Sequence, residues 1–158
     1  MRVADAVHPG LPESSRVFTE RVKLYPEGCL VLADTGGQIC GYAISHPIRY
    51  HQPPALDTLL GKIVSDANTY YIHDIAILPE FRGGGLAAEC VNKLLEVASR
   101  SGFQACELVS VYGTEAFWAR FGFLKGQVGD LLQDKLRGYG EEAVYLSRLN
   151  DKQQIVTI

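Results

Sequence analysis

The chain has 158 residues, of which 47% are hydrophobic, and a formal net charge of −3 at pH 7. The length fits a single domain over residues 1–158, and the hydrophobic content excludes a disordered protein. The net negative charge disfavours nucleic acid as the main partner. No apolar run reaches the ~18 residues of a membrane helix, and the first ten residues lack a signal-peptide core. We therefore expect a cytoplasmic protein with no membrane partner.

The first half of the chain is expected to contain three strands and one helix. MRVADAV (1–7) is assigned as a strand, and ESSRVFTERVKLY (13–25) has helical spacing of apolar residues. CLVLAD (29–34) and ICGYAIS (39–45) are rich in strand-forming residues and are separated by a Gly-Gly turn, which predicts an antiparallel hairpin. The proline-containing segment 46–65 is expected to be a long, functional loop with a short helical turn near its centre.

The second half predicts strands and helices in alternation. Thr114 is expected to cap a short helix that Gly122 ends, and Gly102 to end a longer one. The elements are a strand at 69–78, a helix at 86–101, a strand at 105–111, a helix at 115–121 and a strand at 142–149. This order predicts an α/β domain with a mixed sheet.

The stretch LPEFRGGGLAAECV (78–91) joins a predicted strand to a predicted helix. The first amides of a helix have no internal partner and attract anions, and glycines allow a ligand to approach the backbone. Arg82 adds a guanidinium that can pair with phosphate oxygens. The stretch therefore favours a phosphate site, although a flexible turn with an exposed arginine explains the same local pattern.

Three phosphate-binding motifs compete for this stretch. The P-loop is excluded because no Lys-Ser or Lys-Thr follows the glycines. The dinucleotide motif G-x-G-x-x-G/A is matched by Gly83, Gly85 and Ala88, but a hairpin precedes it and Phe103 stands where an acidic residue is expected. The pattern R-x-x-G-x-A, which begins at Arg82, remains.

Two segments resemble the GNAT superfamily of N-acyltransferases. HDIAILPEFRGGGLA (73–87) is similar to its acetyl-CoA motif Q/R-x-x-G-x-G/A, and EAFWARFGF (115–123) is similar to its short helix with aromatic residues and Gly-Phe. The resemblance covers roughly residues 2–149 and leaves 150–158 as a tail. It implies a mixed, mostly antiparallel sheet flanked by helices, and acetyl transfer from acetyl-CoA to a primary amine of a small molecule or peptide by direct attack in a ternary complex.

The resemblance also implies a place for the cofactor. The pyrophosphate is expected on the backbone amides of Arg82, Gly83, Gly84, Gly85, Leu86 and Ala87, with Gly84 the glycine most tolerant of change. The pantetheine arm is expected to pair like an added strand with the backbone near Ile75 and Ile77. Acetyl-CoA is thus the expected cosubstrate.

His73 is the first candidate for the base that removes the proton of the amine, because histidine changes charge near neutral pH. Strand alternation places Tyr71 on the same face and Asp74 on the opposite face. In one branch of the family a functional histidine lies at the position matched by His73, with a second where this chain has Tyr71. The alternative is a structural histidine bonded to Asp74 or to the backbone.

The general acid is less directly indicated. The family commonly places a tyrosine on the short helix, where this chain has Trp118, and an indole cannot supply a proton. Tyr112, at the end of the preceding strand, is the nearest substitute, although packing of its ring is an alternative role. Tyr71, Asp74 and Trp118 are expected to contact the amine substrate.

Other expectations concern the acceptor side and the partners. The polar and aromatic members of the long loop are candidates to face the acceptor: His46, Arg49, Tyr50, His51 and Asp57. The four cysteines show no C-x-x-C spacing, so we expect buried thiols and no metal site. Strand pairing near the C-terminus would allow a homodimer. The alternative to an enzyme is a non-catalytic acyl-CoA-binding module, which the exchange of tyrosine for Trp118 favours.

Overall fold

The computed structural model describes residues 1–150, so the predicted tail lies, apart from Asn150, outside the described residues. Its helices and strands are α1 Arg2–Val7, α2 Ser15–Leu24, β1 Cys29–Ala33, β2 Ile39–Ile48, β3 Thr69–Ile77, α3 Leu86–Arg100, β4 Ala105–Ser110, α4 Glu115–Ala119, β5 Leu124–Lys125, α5 Asp130–Arg137 and β6 Val144–Leu149. The strands form one sheet in the order β1-β2-β3-β4-β6-β5. Among these strands, only β3 and β4 are parallel. The predicted mixed, mostly antiparallel sheet is confirmed.

Two regions differ from the expectation. Residues 2–7 form α1, because Val3 and Val7 are four residues apart and pack with Ala76 and Leu78 at the end of β3, whereas the short alternating pattern suggested a strand. The segment 124–137 contains β5 and α5, which were not predicted. Leu132 and Leu136 of α5 form a short apolar stripe against Tyr71 and Tyr145, too brief to stand out in the sequence.

Smaller corrections follow from local bonding. β2 continues through His46 to Ile48, so the long loop begins three residues later than predicted, and its centre is a turn without a helix. Thr114 does precede α4, but its hydroxyl donates back to the carbonyl of Val111 and does not cap the helix. The hairpin of β1 and β2 has the predicted antiparallel pairing.

A β-bulge in β3 determines which side chains reach the site. Ile44 of β2 pairs with Asp74 whereas the next residue, Ser45, pairs with Ile72, so His73 is an extra residue in β3. A bulge lets two consecutive side chains project from one face of a sheet. His73 and Asp74 therefore line the same cavity, and the expectation from strict alternation that Asp74 points to the opposite face is wrong.

The two parallel strands separate soon after they meet. β3 pairs with β4 only through Tyr70 to Ile72, opposite Cys106 to Leu108. From His73 to Ile77, β3 remains paired with β2 but has no strand partner on its other edge among the described residues. The backbone N–H and C=O groups on that edge are therefore available to an added extended chain.

Candidate functional site

A cavity of about 750 Å3 occupies the gap between β3 and β4. Its walls come from the loop between α1 and α2, from β3, from the start of α3, from the end of β4 and from α4. The cavity brings together these predicted site residues: His73, Asp74, Ile75, Ile77, Arg82, Ala87, Tyr112 and Trp118. The other predicted cofactor residues, Gly83 to Leu86, form the loop beside it. Tyr71, which was predicted to contact the substrate, does not line the cavity. It is completely buried behind it, in contact with His46 and His73.

The glycine loop leads directly into α3. Gly83 and Gly85 have φ angles of 88° and 82°, which disfavour any residue with a side chain, whereas Gly84 has an ordinary φ. Gly85 precedes the helix, and its carbonyl accepts the first helical bond, from Glu89 at 3.0 Å. The amides before Glu89 consequently have no acceptor within the helix. The Nε of Arg82 donates to the carbonyl of Ile77 at 2.9 Å, which holds the guanidinium at the end of β3.

His73 is paired with a carboxylate from a distant part of the chain. Its Nε2 lies 2.7 Å from Oε1 of Glu13, and the two side chains are only 1% and 7% exposed. The partner of His73 is therefore Glu13, and neither Asp74 nor the backbone. The Nδ1 of His73 is buried without a hydrogen-bond partner among the described residues.

A second imidazole bridges the opening between the strands. His8 contacts Oδ1 of Asp74 through Nε2 at 2.8 Å, and its Nδ1 lies 3.3 Å from the hydroxyl of Tyr112. The hydroxyl of Tyr42 donates to the other oxygen of Asp74. Burial and the negative charge of Asp74 raise the pKa of Tyr112. The group thus links β3 to the end of β4 through four polar side chains.

Tyr112 adopts an unusual backbone conformation at this point. Its φ is 56°, and Gly113 continues in the same region with a φ of 68°. A left-handed φ at a bulky residue costs free energy and is commonest at functional sites. In Tyr112 it accompanies a ring that stacks on His8, with centroids 5.7 Å apart.

His46 lies behind His73 and is almost completely buried, with ring centroids 6.0 Å apart. Burial lowers the pKa of His46 to about 3. The unfolded chain takes up a proton at this residue as the pH falls through about 6.5, whereas the folded chain does not, so acid favours unfolding between these two values.

We expect wild-type protein to lose on the order of 2 kcal/mol more unfolding free energy than a His46→Phe variant between pH 6.5 and pH 5, because phenylalanine keeps the ring volume and cannot titrate. Urea unfolding of both proteins at the two pH values measures the difference. Equal losses would exclude His46 as the source of acid sensitivity.

Of the remaining predicted residues, Trp118 lines the cavity and the polar residues of the long loop do not. Trp118 packs between Phe117 and Phe123, at centroid distances of 5.1 and 5.6 Å, and also lines the cavity. Of the long loop, Leu56 reaches the cavity, whereas the predicted polar residues bind elsewhere. Arg49 pairs with Asp66, the amide of His51 donates to Glu107, Asp57 accepts from the amide of Ser14, and the ring of Tyr50 stacks on His51.

Three residues of the site were not predicted from the sequence. His8 and Glu13 lie in the connection between α1 and α2, and Tyr42 lies on β2. Their proximity to β3 follows from tertiary packing, and the one local signal was a histidine next to Pro-Gly in a loop.

Within residues 1–150, no group of three or more histidine, cysteine or acidic residues could hold a metal ion. No helix in the same range is long and apolar enough to cross a bilayer.

Structural comparison finds the same fold in several solved proteins. N-acetylglutamate synthase from Neisseria gonorrhoeae, complexed with coenzyme A and N-acetyl-glutamate, has a TM-score of 0.69 at 16% identity; the match covers 96% of this chain but only 32% of that one. The GphF GNAT-like decarboxylase, in complex with isobutyryl-CoA, has a TM-score of 0.75 at 16% identity, with 95% and 92% covered. The same fold occurs in Ard1 from Thermoplasma volcanium, with a TM-score of 0.68 at 15% identity and with 96% and 88% covered.

Sequence comparison identifies the family. No curated protein sequence matches the chain. A profile of the acetyltransferase (GNAT) family matches residues 2–123, which include β3, the glycine loop, α4 and the aromatic segment that follows. The chain therefore belongs to the acetyltransferase (GNAT) family.

Proposed function

We propose that this protein is an N-acetyltransferase that transfers the acetyl group of acetyl-CoA to a primary amine by direct attack in a ternary complex. The observation that carries the proposal is one cavity that joins the unpaired edge of β3 and the glycine loop to the His73–Glu13 pair. The cosubstrate and the proton acceptor would thus meet at one point, as the reaction requires.

The residues at the cofactor end fit a CoA thioester. The backbone of Ile75 and Ile77 on the free edge of β3 would pair with the amides of the pantetheine arm. The helix amides after Gly85 and the guanidinium of Arg82 would hold the pyrophosphate. Two neighbours of the same fold were solved with coenzyme A and with isobutyryl-CoA, which supports this class of cosubstrate.

His73 serves as the base in this proposal. An alkylamine is largely protonated at neutral pH, with a pKa of ~10.4 for a lysine-like group, so it must lose a proton to become a nucleophile. The Nδ1 of His73 is buried without a hydrogen-bond partner among the described residues, so the proton would reach it through a bridging water molecule or after a small shift of the ring. Glu13 orients the imidazole through Nε2 and stabilises the imidazolium that forms.

The departing thiolate receives its proton through Tyr112 and His8. The raised pKa of Tyr112 makes its phenol a weak acid toward a thiolate, whereas an imidazolium is a stronger acid than a thiol. When His8 is protonated, its Nε2 donates to Asp74 and its Nδ1 donates to the Tyr112 oxygen. Tyr112 passes its own proton to the sulfur, and His8 replaces it.

We expect Tyr112→Phe and His8→Ala each to lower kcat by about 10- to 100-fold, and the double variant to be no slower than the worse single variant, because both residues handle the same proton. Rates of thiol release under acetyl-CoA saturation measure this. Tyr50→Phe, a change on a loop outside the cavity, provides the control. Additive losses in the double variant would contradict a shared proton path.

Calorimetric titration with acetyl-CoA, followed by thiol release with a panel of amines, tests the function itself. We expect micromolar binding and turnover with at least one amine. Binding without turnover would favour the non-catalytic acyl-CoA module, and failure to bind acetyl-CoA would reject both. Parallel reactions with propionyl-CoA and isobutyryl-CoA determine whether the acetyl group is preferred.

A further inference from the structure

The charges at the end of the cavity away from the glycine loop limit which amine can enter. Two carboxylates, Glu13 and Asp74, line this end. Arg82 is the one lysine or arginine among the lining residues that the structure describes, and its bond to Ile77 holds it at the cofactor end. The acceptor end is therefore attractive to a cation and offers no basic side chain other than the two histidines, each already paired with a carboxylate.

A carboxylate on the acceptor would find no lysine, arginine or free hydroxyl there among the described lining residues. The tyrosine and threonine hydroxyls of the lining are also engaged: Tyr112 with His8, Tyr139 with the carbonyl of Pro54 at 2.8 Å, and Thr114 with the carbonyl of Val111. An anion moved from water into this end would lose its hydration and would face Glu13 and Asp74. Burial of an unpaired charge is strongly unfavourable, and like charges add to it.

The walls between these polar groups are apolar. Leu11 and Leu56 come from two different segments and meet at this end, and the ring of Tyr139 adds to them. Such a surface stabilises a hydrocarbon or aromatic body by removing it from water. A peptide chain fits less well, because each peptide group brings an N–H and a C=O that need partners when buried, and the carboxylates and hydroxyls of the lining are already hydrogen-bonded within the protein.

We infer that the acceptor is a small primary amine with an apolar body and no carboxylate. Its ammonium group is drawn to the Glu13 and Asp74 end, loses a proton to His73 and, as the free amine, attacks the thioester carbon; the nitrogen then gives its second proton to water. The new C–N bond forms as the C–S bond breaks, and the sulfur takes a proton from Tyr112. This inference rests on the proposed acetyltransferase activity and adds the chemical class of its acceptor.

Matched substrates test the inference on the wild-type protein. With acetyl-CoA in excess, kcat/KM is measured for 2-phenylethylamine, phenylalanine, phenylalanine methyl ester and the amidated tripeptide Phe-Ala-Ala. We expect 2-phenylethylamine to exceed phenylalanine by on the order of 100-fold, the ester to recover to within about tenfold of the amine, and the tripeptide to fall at least about tenfold below it. Isoamylamine against leucine repeats the comparison with an aliphatic body.

A charge placed at the acceptor end provides a second test. We expect Leu11→Arg to shrink the preference for 2-phenylethylamine over phenylalanine by at least about tenfold, because the guanidinium can pair with the carboxylate. Leu11→Met keeps an apolar side chain of similar volume and should retain the wild-type preference. If Leu11→Arg folds poorly, as judged by circular dichroism, the wild-type comparisons still decide the question.

The outcomes separate this inference from the function on which it rests. Equal or faster turnover of phenylalanine or of the tripeptide would overturn the acceptor class and leave the acetyltransferase activity in place. An ester as poor as phenylalanine would overturn the argument from charge. Acetyl-CoA binding with no turnover of any probe would contradict the proposed function, and the acceptor class would be rejected with it.

Discussion

His73→Gln is expected to lower kcat by about 100- to 10,000-fold, the range in which a positioned general base contributes to catalysis. Glutamine can still bond to Glu13, so the local packing is retained, but it cannot accept a proton at neutral pH. Acetyl-CoA affinity should stay within about threefold of wild type, because the cofactor is expected on the β3 edge and the glycine loop. Steady-state thiol release and calorimetric titration measure the two quantities separately.

Two companion variants locate the source of the loss. Glu13→Gln removes the carboxylate that stabilises the imidazolium of His73 and should slow turnover less than loss of the imidazole itself. His51→Gln changes a histidine that also lies near a carboxylate, Glu107, but outside the cavity, and it should be close to wild type. An unchanged pH–rate profile in His73→Gln would remove His73 from the mechanism.

Gly85→Val is expected to weaken acetyl-CoA binding by at least about 100-fold, through two effects. The φ of 82° is unfavourable for a residue with a Cβ, at a cost of roughly 1–2 kcal/mol that displaces the start of α3. A Cβ at this position meets no protein atom within 4 Å, so the added methyl groups would occupy the space in which a pyrophosphate approaches the amides. Calorimetric titration with acetyl-CoA measures the change in Kd.

Gly102→Val provides a matched control at the opposite end of the same helix. Gly102 also has a φ of 82°, and a Cβ added there would likewise meet no atom within 4 Å, so the backbone strain is comparable. We expect similar losses of unfolding free energy in the two variants and a lower acetyl-CoA affinity only in Gly85→Val. If both variants lost the same affinity, general instability would explain the result and the phosphate role of the loop would be rejected.

The parts of the fold predicted from sequence are those with strong local signals. The strand at 69–78 is long, β-branched and aromatic, and the helix at 86–101 has clear periodicity with glycines at both ends, so the structure agrees with both within one residue. The prediction for residues 2–7 was wrong because so short a run of Val and Ala fits a strand and a helix equally well, and contact with β3 selects the helix. Local propensity decides little over so short a segment.

The residues proposed for the cofactor end carry a local sequence signal, whereas the partners of His73 and Asp74 do not, for a physical reason. Phosphate binding by a glycine loop uses consecutive backbone groups, so Arg82 and Gly85 stand together in the sequence. The partners of His73 and Asp74 are Glu13 and His8, which lie 60 and 66 residues away along the chain and are joined to them by packing alone. The bulge at His73 has no glycine to mark it, so regular alternation gave the wrong side for Asp74.

The bulge also shortens the distance along β3 between the two side chains that enter the cavity, His73 and Asp74. Side chains on one face of a regular strand are two residues apart, about 6.6–6.8 Å along the chain, whereas consecutive Cα atoms are about 3.8 Å apart. In the proposed reaction, the nitrogen that gives up a proton and the sulfur that receives one are bonded to the same carbon. The nitrogen and the sulfur are therefore only two bonds apart. By placing His73 and Asp74 side by side, the bulge in β3 brings the His73–Glu13 and His8–Asp74 pairs closer together than alternate residues of a regular strand, and so closer to the short nitrogen–sulfur separation.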